Sequence, residues 1–348
     1  MTHREPIPKM AMSVIIPTLN EENVIGRSLN SLTQQILPRA AFEVILVDNG
    51  STDRTLEIVR RFEKALALTV VHKTGAHISA LRNLGAASSQ GKFLAFLDAD
   101  CIAPPHWLSE AVELLQVDES AVIGARYTIP EGSSWLAKAW YGDQHTKRGP
   151  VSYVPGGNSL LARSTLRKVG GFDETIETNE DSEFCHRASR LGLRVLAVPS
   201  LSVMHLGTPQ TVASFYRKER WHGAAVHSVF LRDPFHSRNL KSILWAAYIL
   251  CCLMTLVVGI PVALLSGQSV ALFLGPLAMV LSSFALAARD AAARKRWGMV
   301  APLTVLFAIY GLARALCLLG IRSTRRARRT TRSVLDVGFA DDALGDAK

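Results

Sequence analysis

The chain has 348 residues, of which 49% are hydrophobic and 20% charged, and it carries a formal net charge of +10. This length accommodates one sizeable domain with an appendage, and the high hydrophobic content indicates a separate apolar region. The basic balance does not indicate a nucleic-acid partner, because the arginine-rich segment 324–332 has no aromatic side chain on which a base could stack. The five cysteines show no metal-type spacing and, being odd in number, predict no disulfide framework.

Short apolar runs in the first hundred residues alternate with helical segments. The predicted strands are Met12–Ile16, Glu43–Val47, Leu68–His72 and Phe93–Leu97. One helix is predicted to start at Asn20 and another to cover Thr55–Ala67. Because strands that alternate with helices are joined by crossover connections, this part of the chain predicts an α/β fold with a mostly parallel sheet and helices on both faces.

The pattern becomes less regular after a predicted helix at Trp107–Gln116. The segment Arg126–Gly149 fits a substrate-side loop with a short amphipathic helix as well as it fits a surface loop with packed tryptophans. A strand is predicted within Ser152–Ala162, a helix at Arg163–Val169 and a further strand at Leu193–Val198.

A charge-free stretch, Ser242–Ala288, is long enough for two membrane spans of about 20 residues each. We predict these spans at Ile243–Leu265 and Val270–Ala288, joined by an uncharged turn. A third apolar stretch, Met299–Ile321, contains Arg314, whose charge is costly near the centre of a bilayer.

The charges around these segments predict their orientation. The N-terminus lacks the apolar core of a cleaved signal peptide, so the residues before 242 are expected in the cytoplasm. Two spans bring the basic cluster 289–296 back to that side, as the positive-inside rule favours. A third span would place the six arginines of 322–332 outside, so we predict that the third stretch is re-entrant or interfacial and contacts anionic lipid. The predicted divisions are 1–240, a membrane region 241–322, and a basic, then acidic, disordered tail 323–348.

Polar clusters follow the first, second and fourth predicted strands, at the edge of the sheet where α/β proteins bind ligands. Asp98 and Asp100 come directly after the fourth strand, where unpaired carboxylates are costly unless something binds them. A divalent cation, Mg²⁺ or Mn²⁺, suits such hard oxygen ligands, and simple solvation is the alternative. Asp48 lies in a turn rich in hydrogen-bonding groups. Glu21 can meet a nucleobase or a basic neighbour, or stabilise a helix N-terminus.

Together and in this order, the motifs resemble those of family 2 inverting glycosyltransferases with the A-type nucleotide-sugar fold. The resemblance covers roughly Ser13–Gly223. It rests on VIIPTLNE at 14–21, DNGSTD at 48–53, RNLG at 82–85, FLDAD at 96–100, GGN at 156–158 and ED at 180–181. It implies a GT-A type nucleotide-binding sheet, followed here by C-terminal transmembrane helices, and a nucleotide-sugar donor.

The resemblance also implies roles for individual residues. Asp48 is expected near the nucleoside, Asp98 and Asp100 around the metal and the diphosphate, and Asp181 as the general base. The nucleotide-sugar-binding set is Pro17, Asn20, Glu21, Asp48, Asn49, Arg82 and Asp98. The metal ligands are expected to be Asp98, Asp100 and His205. The acceptor and diphosphate side is expected to use Gly156, Gly157, Asn158, Glu180, Arg220 and Trp221.

The residues by themselves leave alternatives open. Inversion by direct displacement needs a carboxylate that takes the proton of the acceptor hydroxyl, but Glu180 and Asp181 can equally well stabilise the N-terminus of a helix. Arg82 can pair with a diphosphate or with an acidic loop, and His205 can be a structural histidine.

One motif departs from that of processive relatives, which carry Gln-x-x-Arg-Trp. Here Arg217 stands in place of the glutamine, ahead of Arg220 and Trp221, so transfer of a single sugar is favoured over polymer synthesis. We predict a multi-pass enzyme of the inner cell membrane that acts on a lipid-linked or glycan acceptor in cell-envelope polysaccharide or glycolipid synthesis. The alternatives are a non-catalytic nucleotide-sugar-binding membrane protein and a nucleotidyltransferase, neither of which needs a base at Asp181.

Overall fold

A computed structural model describes residues 10–142, 147–232, 237–267 and 269–319. Within these ranges the chain forms two compact units. The first comprises residues 10–130 and 147–207, and the second comprises residues 131–142 and 208–319. The predicted tail 323–348 lies outside the described residues.

The first unit is built on a sheet of eight strands, with a two-stranded ribbon beside it. The strands are β1 (Met12–Thr18), β2 (Phe42–Asp48), β3 (Leu68–His72), β4 (Phe93–Leu97), β5 (Cys101–Ile102), β6 (Val122–Gly124), β7 (Gly149–Pro150), β8 (Asn158–Ala162), β9 (Val195–Ala197) and β10 (Met204–His205). The order in the sheet is β3-β2-β1-β4-β8-β6-β9-β7, and β10 pairs with β5 in the ribbon.

Eleven α-helices lie within the described residues. They are α1 (Ile25–Thr33), α2 (Thr55–Arg60), α3 (Ile78–Ala87), α4 (Trp107–Val117), α5 (Trp135–Tyr141), α6 (Arg163–Val169), α7 (Glu180–Arg190), α8 (Val212–Arg232), α9 (Ser237–Ser266), α10 (Val270–Ala293) and α11 (Val300–Leu318). The first unit contains α1–α4, α6 and α7, and the second contains α5 and α8–α11.

Strand direction divides the sheet into two halves. Strands β1 to β4 pair in parallel, in the order β3-β2-β1-β4. Strand β8 is antiparallel to both of its neighbours, β4 and β6, whereas β6 and β9 pair in parallel. Strands β6 and β9 therefore run in the same direction as β1, β2 and β4, so the carboxyl ends of all five meet at one edge.

Alternating side chains of the central strands pack on opposite faces of the sheet, as the pleat requires. Val14 and Ile16 lie in one hydrophobic cluster with α1 and α4. Ile15 and Ile45 lie in the other, together with residues of α3 and α7. The prediction of a mostly parallel sheet with helices on both faces is confirmed.

Most element boundaries agree with the sequence predictions to within two residues, and three differ by more. The predicted helix at Asn20 begins only at Ile25, because residues 21–24 form a turn. The helix that starts at Thr55 ends at Arg60, well before Ala67. The strand predicted within Ser152–Ala162 is confined to β8, and the residues before it form a loop.

The second unit contains three helices long and apolar enough to cross a membrane. Their candidate spans are Leu240–Ser266, Leu272–Ala293 and Trp297–Leu318. The first two agree with the predicted spans. The third includes the continuous helix α11, which is also long and apolar enough to cross a membrane, and the predicted re-entrant or interfacial location stays a prediction.

Arg314, the only charged residue of α11, forms an ion pair. The guanidinium Nη2 of Arg314 lies 2.8 Å from Oε2 of Glu219 on α8. Both side chains are at least nine-tenths buried, and the guanidinium also lies over the ring of Tyr310. A paired arginine is far less costly in an apolar environment than an isolated one, so the objection that Arg314 raised against a third span is weakened.

The packing divides the chain differently from the predicted boundary at residue 240. Residues 131–142 and the whole of α8, which precede that boundary, belong to the same compact unit as the apolar helices. The boundary between a catalytic and a membrane region stays a prediction.

Candidate active site

The acidic residues predicted from the sequence follow the ends of neighbouring strands. Thr18 at the end of β1 pairs in register with Asp48 at the end of β2. Strand β4, which carries Asp98 and Asp100 after its last residue, pairs with β1 on the other side. Parallel pairing thus brings the three polar clusters to one edge of the sheet.

The Asp48 carboxylate is buried and fixes the turn that follows β2. It accepts hydrogen bonds from the backbone N–H groups of Gly50, at 3.0 Å, and Ser51, at 3.1 Å. Burial alone would raise the pKa of Asp48, but the hydrogen bonds from Ser51 and Gly50 together outweigh burial and lower it. The carboxylate is therefore ionised and held rigidly at the predicted nucleoside side.

Two other predicted nucleotide-side residues organise these loops. The Asn49 side chain forms two hydrogen bonds with the backbone of Ala76, both 3.0 Å long. Asn20 adopts a left-handed backbone conformation, and its side-chain oxygen accepts a 2.8 Å hydrogen bond from the N–H of Thr52. Pro17 lies within β1. The loops after β1 and β2 are thus joined, so a ligand meets them as a preformed surface.

Glu21 lies close to the aspartates that follow β4. Burial, and then the negative charges of Asp100, Asp98 and Asp53, raise its pKa to about 7. The sequence suggested a nucleobase or a basic neighbour for Glu21, but the structure surrounds it with carboxylates. Such a concentration of negative charge favours a bound cation.

Arg82 is buried and connects the two sides of the site. Its Nη2 atom lies 3.0 Å from Oδ1 of Asp98, and its Nη1 atom forms an ion pair with Oε1 of Glu180. Burial would lower the pKa of Arg82, but the charges of Glu180 and Asp98 raise it, so the guanidinium stays charged. The sequence left either a diphosphate or an acidic loop as the partner of Arg82, and in this structure its partners are carboxylates.

Glycine is required at positions 156 and 157 because the backbone there lies very close to these charged groups. A Cβ atom on Gly156 would lie 2.7 Å from Nη1 of Arg82. A Cβ atom on Gly157 would lie 1.9 Å from Oδ2 of Asp98. Any side chain here would displace the ion pair, so the two glycines are a condition for this geometry.

Asp181 lies at the start of α7, beside the glycine pair. Its Oδ2 atom accepts a 3.0 Å hydrogen bond from the N–H of Gly156, and its Oδ1 atom accepts one from the N–H of Ser182. Asn179, which lies two residues before Asp181 and directly before α7, adopts a left-handed backbone conformation. Asp181 is therefore held by backbone N–H groups at the N-terminus of α7, and its role as general base stays a prediction.

Asn158, in contrast, uses its side chain within the fold. Its amide nitrogen donates to the carbonyl oxygens of Ala125 and Leu201, and its oxygen accepts from the indole of Trp107. Since both amide donors are engaged and the residue is fully buried, a contact from this side chain to an acceptor is not favoured.

Asp100, Cys101 and His205 form a cluster that can hold a metal ion. One ligand atom from each lies within 4.8 Å of the other two, because the antiparallel ribbon pairs His205 directly with Cys101. A Cβ atom on Gly207 would lie 2.0 Å from Oδ2 of Asp100, so this glycine keeps the space at the carboxylate open. Carboxylate and imidazole ligands fit a divalent cation such as Mn²⁺.

Tyr127 belongs to the site but was not singled out from the sequence. Its hydroxyl donates a 3.2 Å hydrogen bond to Oδ2 of Asp98, and its ring packs edge-on against His205. Burial, and then the charge of Asp98, raise its pKa well above the ordinary value. The phenol is therefore a permanent donor to Asp98.

Two further predicted residues lie in the second unit. Arg220 and Trp221 are on α8, where the carbonyl oxygen of Arg220 accepts a hydrogen bond from Sγ of Cys317 and Trp221 is exposed. Their predicted contact with the acceptor or the diphosphate stays a prediction.

A mostly parallel sheet with carboxylates, a buried arginine and a candidate metal cluster at its carboxyl edge agrees with a glycosyltransferase. The model of "Glycosyl transferase family 2" matches residues 13–170, and that of "Glycosyl transferase family group 2" matches residues 93–291. The chain belongs to glycosyl transferase family 2.

Named relatives agree with this assignment. The chain is 38% identical over 247 residues to glycosyltransferase AglE of Haloferax volcanii, covering 67% of this chain and 79% of that protein. It is 28% identical over 240 residues to a chondroitin synthase of Escherichia coli, covering 57% of this chain but only 35% of the synthase. A solved mannosyltransferase, PcManGT from Pyrobaculum calidifontis in complex with GDP-Man and Mn²⁺, has the same fold. Its TM-score is 0.58 at 22% identity, with 90% of this chain and 89% of that one covered.

Proposed function

We propose that the enzyme transfers a single sugar, with inversion, from a nucleotide-diphosphate sugar to a lipid-linked acceptor at the cytoplasmic face of the membrane. The observation that carries this proposal is the placement of the Asp181 carboxylate. It is fixed by the N–H of Gly156, whose own backbone lies against the Arg82 guanidinium that pairs with Asp98.

The donor is assigned to the half of the sheet formed by β1 to β4. The joined loops after β1 and β2 supply the ionised Asp48 and a row of backbone groups for the nucleoside. Support comes from PcManGT, which has this fold and was solved with GDP-Man. Which nucleobase and which sugar the donor carries depends on loop contacts specific to this chain.

A divalent cation, Mg²⁺ or Mn²⁺, would be held by Asp100 and His205, which belong to the candidate cluster, together with Asp98, two residues before Asp100. When bound, the cation neutralises the charge that develops on the leaving diphosphate. Burial and the neighbouring carboxylates raise the pKa of Glu21 to about 7, so a bound cation would favour its ionised form. Arg82 holds Asp98 in place.

Asp181 is assigned the role of general base. The acceptor oxygen attacks the anomeric carbon as the bond to the diphosphate breaks, and the hydroxyl proton passes to the Asp181 carboxylate. A positioned base of this kind contributes typically about 10²–10⁴-fold to the rate. The hydrogen bonds from Gly156 and Ser182 fix the position of this carboxylate.

The membrane location supports a lipid-linked acceptor. Three helices of the second unit are long and apolar enough to span a membrane, and a substrate anchored in the same bilayer would be confined near the enzyme. Nucleotide sugars are cytoplasmic, so we assign the catalytic unit to that side of the inner membrane. The alternatives of a non-catalytic binding protein and a nucleotidyltransferase are disfavoured by membership of the glycosyltransferase family.

Asp181→Asn tests the proposal. We expect donor binding to survive and transfer to fall by at least about 10²-fold, the low end for loss of a general base. Membranes that contain the wild type or the variant are incubated with a panel of labelled nucleotide sugars, and the labelled lipid and its anomeric configuration are identified.

Asp173→Asn is the matched control, because Asp173 caps a surface turn through Thr175 and should leave transfer unchanged. Transfer by Asp181→Asn at the wild-type rate would show that another group is the base. A product with retained configuration would contradict the inverting mechanism.

A further inference from the structure

The first unit contains an open cavity whose wall includes none of the residues assigned to the donor, the metal cluster or the general base. Its volume is about 150 Å³, below the usual range of about 300–1,000 Å³ for whole small-molecule sites, so only one small group of a larger substrate would enter it. Its wall includes Gly124, Arg126, Tyr153, Pro155 and Ala197.

The topology puts this cavity on the ligand-binding edge of the sheet. Gly124 is the last residue of β6 and Ala197 the last residue of β9, and these strands run parallel to each other. They also run in the same direction as β4, because β8 is antiparallel to both β4 and β6. The cavity therefore opens at the same edge as Asp98, but on the side away from β1, β2 and β3.

One residue of the cavity wall is the chain neighbour of a residue that holds the proposed base. Pro155 forms part of its wall, and the next residue, Gly156, donates the 3.0 Å hydrogen bond that holds Asp181. A hydroxyl group on a molecule in this cavity would thus lie near the carboxylate that takes the proton. The predicted donor side, by contrast, is separated from this cavity by strands β8 and β4.

Two side chains define the chemistry of the cavity. Arg126 places its guanidinium 5.9 Å from the centre of the Tyr153 ring, and both side chains are half-buried. A tyrosine ring gives an apolar surface for the carbon face of a sugar. A guanidinium binds phosphate or carboxylate groups through paired hydrogen bonds.

We infer that this cavity is the acceptor subsite and that the acceptor group which enters it is an anionic sugar, carrying a phosphate or a carboxylate that Arg126 binds. The inference rests on the proposed function, since it assigns the acceptor of that same reaction. Tyr153 supports the sugar ring, and Asp181 faces the hydroxyl that is glycosylated.

Binding of small probes to the purified full chain in detergent tests the inference. The probes are glucose 1-phosphate, glucuronate and glucose, and binding is measured by ligand-observed NMR. UDP, GDP and Mn²⁺ are present throughout, so that the donor side is blocked. We expect one or both of the anionic probes to bind more tightly than glucose, and the better of the two identifies phosphate or carboxylate as the recognised group.

Variants assign that binding to the cavity. Arg126→Gln is expected to weaken the anionic probe by about 10- to 100-fold, the effect of losing a hydrogen bond to a charged group. Tyr153→Leu should weaken all three probes. The control is Arg194→Gln, which removes an exposed arginine paired with Asp118 and should change nothing.

Several results would overturn the inference. They are equal binding of glucose and the anionic probes, wild-type affinity in Arg126→Gln, or no binding of any probe. Nucleotide binding and the effect of Asp181→Asn on transfer are measured on the same preparation, so a failure of the proposed function is seen separately. Anion binding that depends on Arg126 would persist even if the enzyme used a different base.

Discussion

Replacing Gly157 by alanine is expected to disable the enzyme while leaving it folded. The new Cβ atom would lie 1.9 Å from Oδ2 of Asp98 and 2.0 Å from its Cγ atom. Because such atoms do not approach within 3.0 Å, either the loop or the carboxylate must move by roughly 1 Å. Neither is free to move, since Arg82 and Tyr127 hold the carboxylate at 3.0 and 3.2 Å, and the Gly157 carbonyl accepts the N–H of Asp98.

A displacement of about 1 Å at a reacting group can cost roughly 10²-fold in rate. We therefore expect Gly157→Ala to reduce kcat/KM for transfer by about 10²-fold. Overpacking of this kind costs about 1–3 kcal/mol in stability, so the protein should still fold. Transfer is measured with the nucleotide sugar and the lipid acceptor identified from the panel, and folding is measured by thermal unfolding in detergent.

Two other glycines provide controls. Gly132→Ala adds its Cβ atom where no atom lies within 4 Å and should leave transfer unchanged. Gly156→Ala meets only the guanidinium of Arg82, at 2.7 to 2.9 Å, so we expect an intermediate loss. Transfer by Gly157→Ala close to the wild-type rate would show that the position of Asp98 does not limit the reaction.

Three further predictions concern the charged groups of the site. Asp98→Asn and Asp100→Asn should each abolish the stimulation of transfer by Mn²⁺ while thermal unfolding stays cooperative; full metal-dependent transfer in either variant would contradict the metal assignment. Glu180→Gln leaves the buried Arg82 short of a partner and should lower the free energy of unfolding by about 3–5 kcal/mol. Glu183→Gln breaks a more exposed pair with Arg187 and should lower it by about 0–1 kcal/mol. Equal losses in the two variants would contradict the expectation that the more buried pair contributes more to stability. The raised pKa of Glu21, about 7, means that the folded metal-free protein holds a proton that the unfolded chain releases above pH 4.5, so the Glu21 contribution to stability falls as the pH rises towards 7. Glu21→Gln should remove this part of the pH dependence of the melting temperature, and identical profiles for the two proteins would count against it.

The parallel half of the sheet could be predicted because each strand carries its own signal. Runs such as Val14-Ile15-Ile16 and Phe93–Leu97 are apolar throughout, as strands covered on both faces must be. The polar residues that follow these strands then had to meet at one edge. Family membership and the placement of Asp98 beside Arg82 agree with that expectation.

Other features depend on contacts between residues far apart in the chain, which local patterns do not reveal. The antiparallel direction of β8 is set by its pairing with β4 and β6, and a single apolar run has no direction. Tyr127 comes from a stretch with no motif of its own, and only the fold brings it to Asp98. Asn158 was assigned to the acceptor side from its motif, but its amide is engaged by Trp107 and two backbone carbonyls.

The second unit is assembled from two pieces of chain that the ribosome makes at different times. Trp140 on α5 packs against Phe215 of α8 and against Phe307 and Tyr310 of α11. At about 5–20 residues per second, α5 is synthesised on the order of ten seconds before α11 exists. During that interval the indole of Trp140 has no apolar partner from α11, while the later strands of the sheet are still being synthesised. A shortened protein that ends before α8 would keep this unprotected surface permanently, so a soluble form of the catalytic unit should require polar replacements on the buried face of α5.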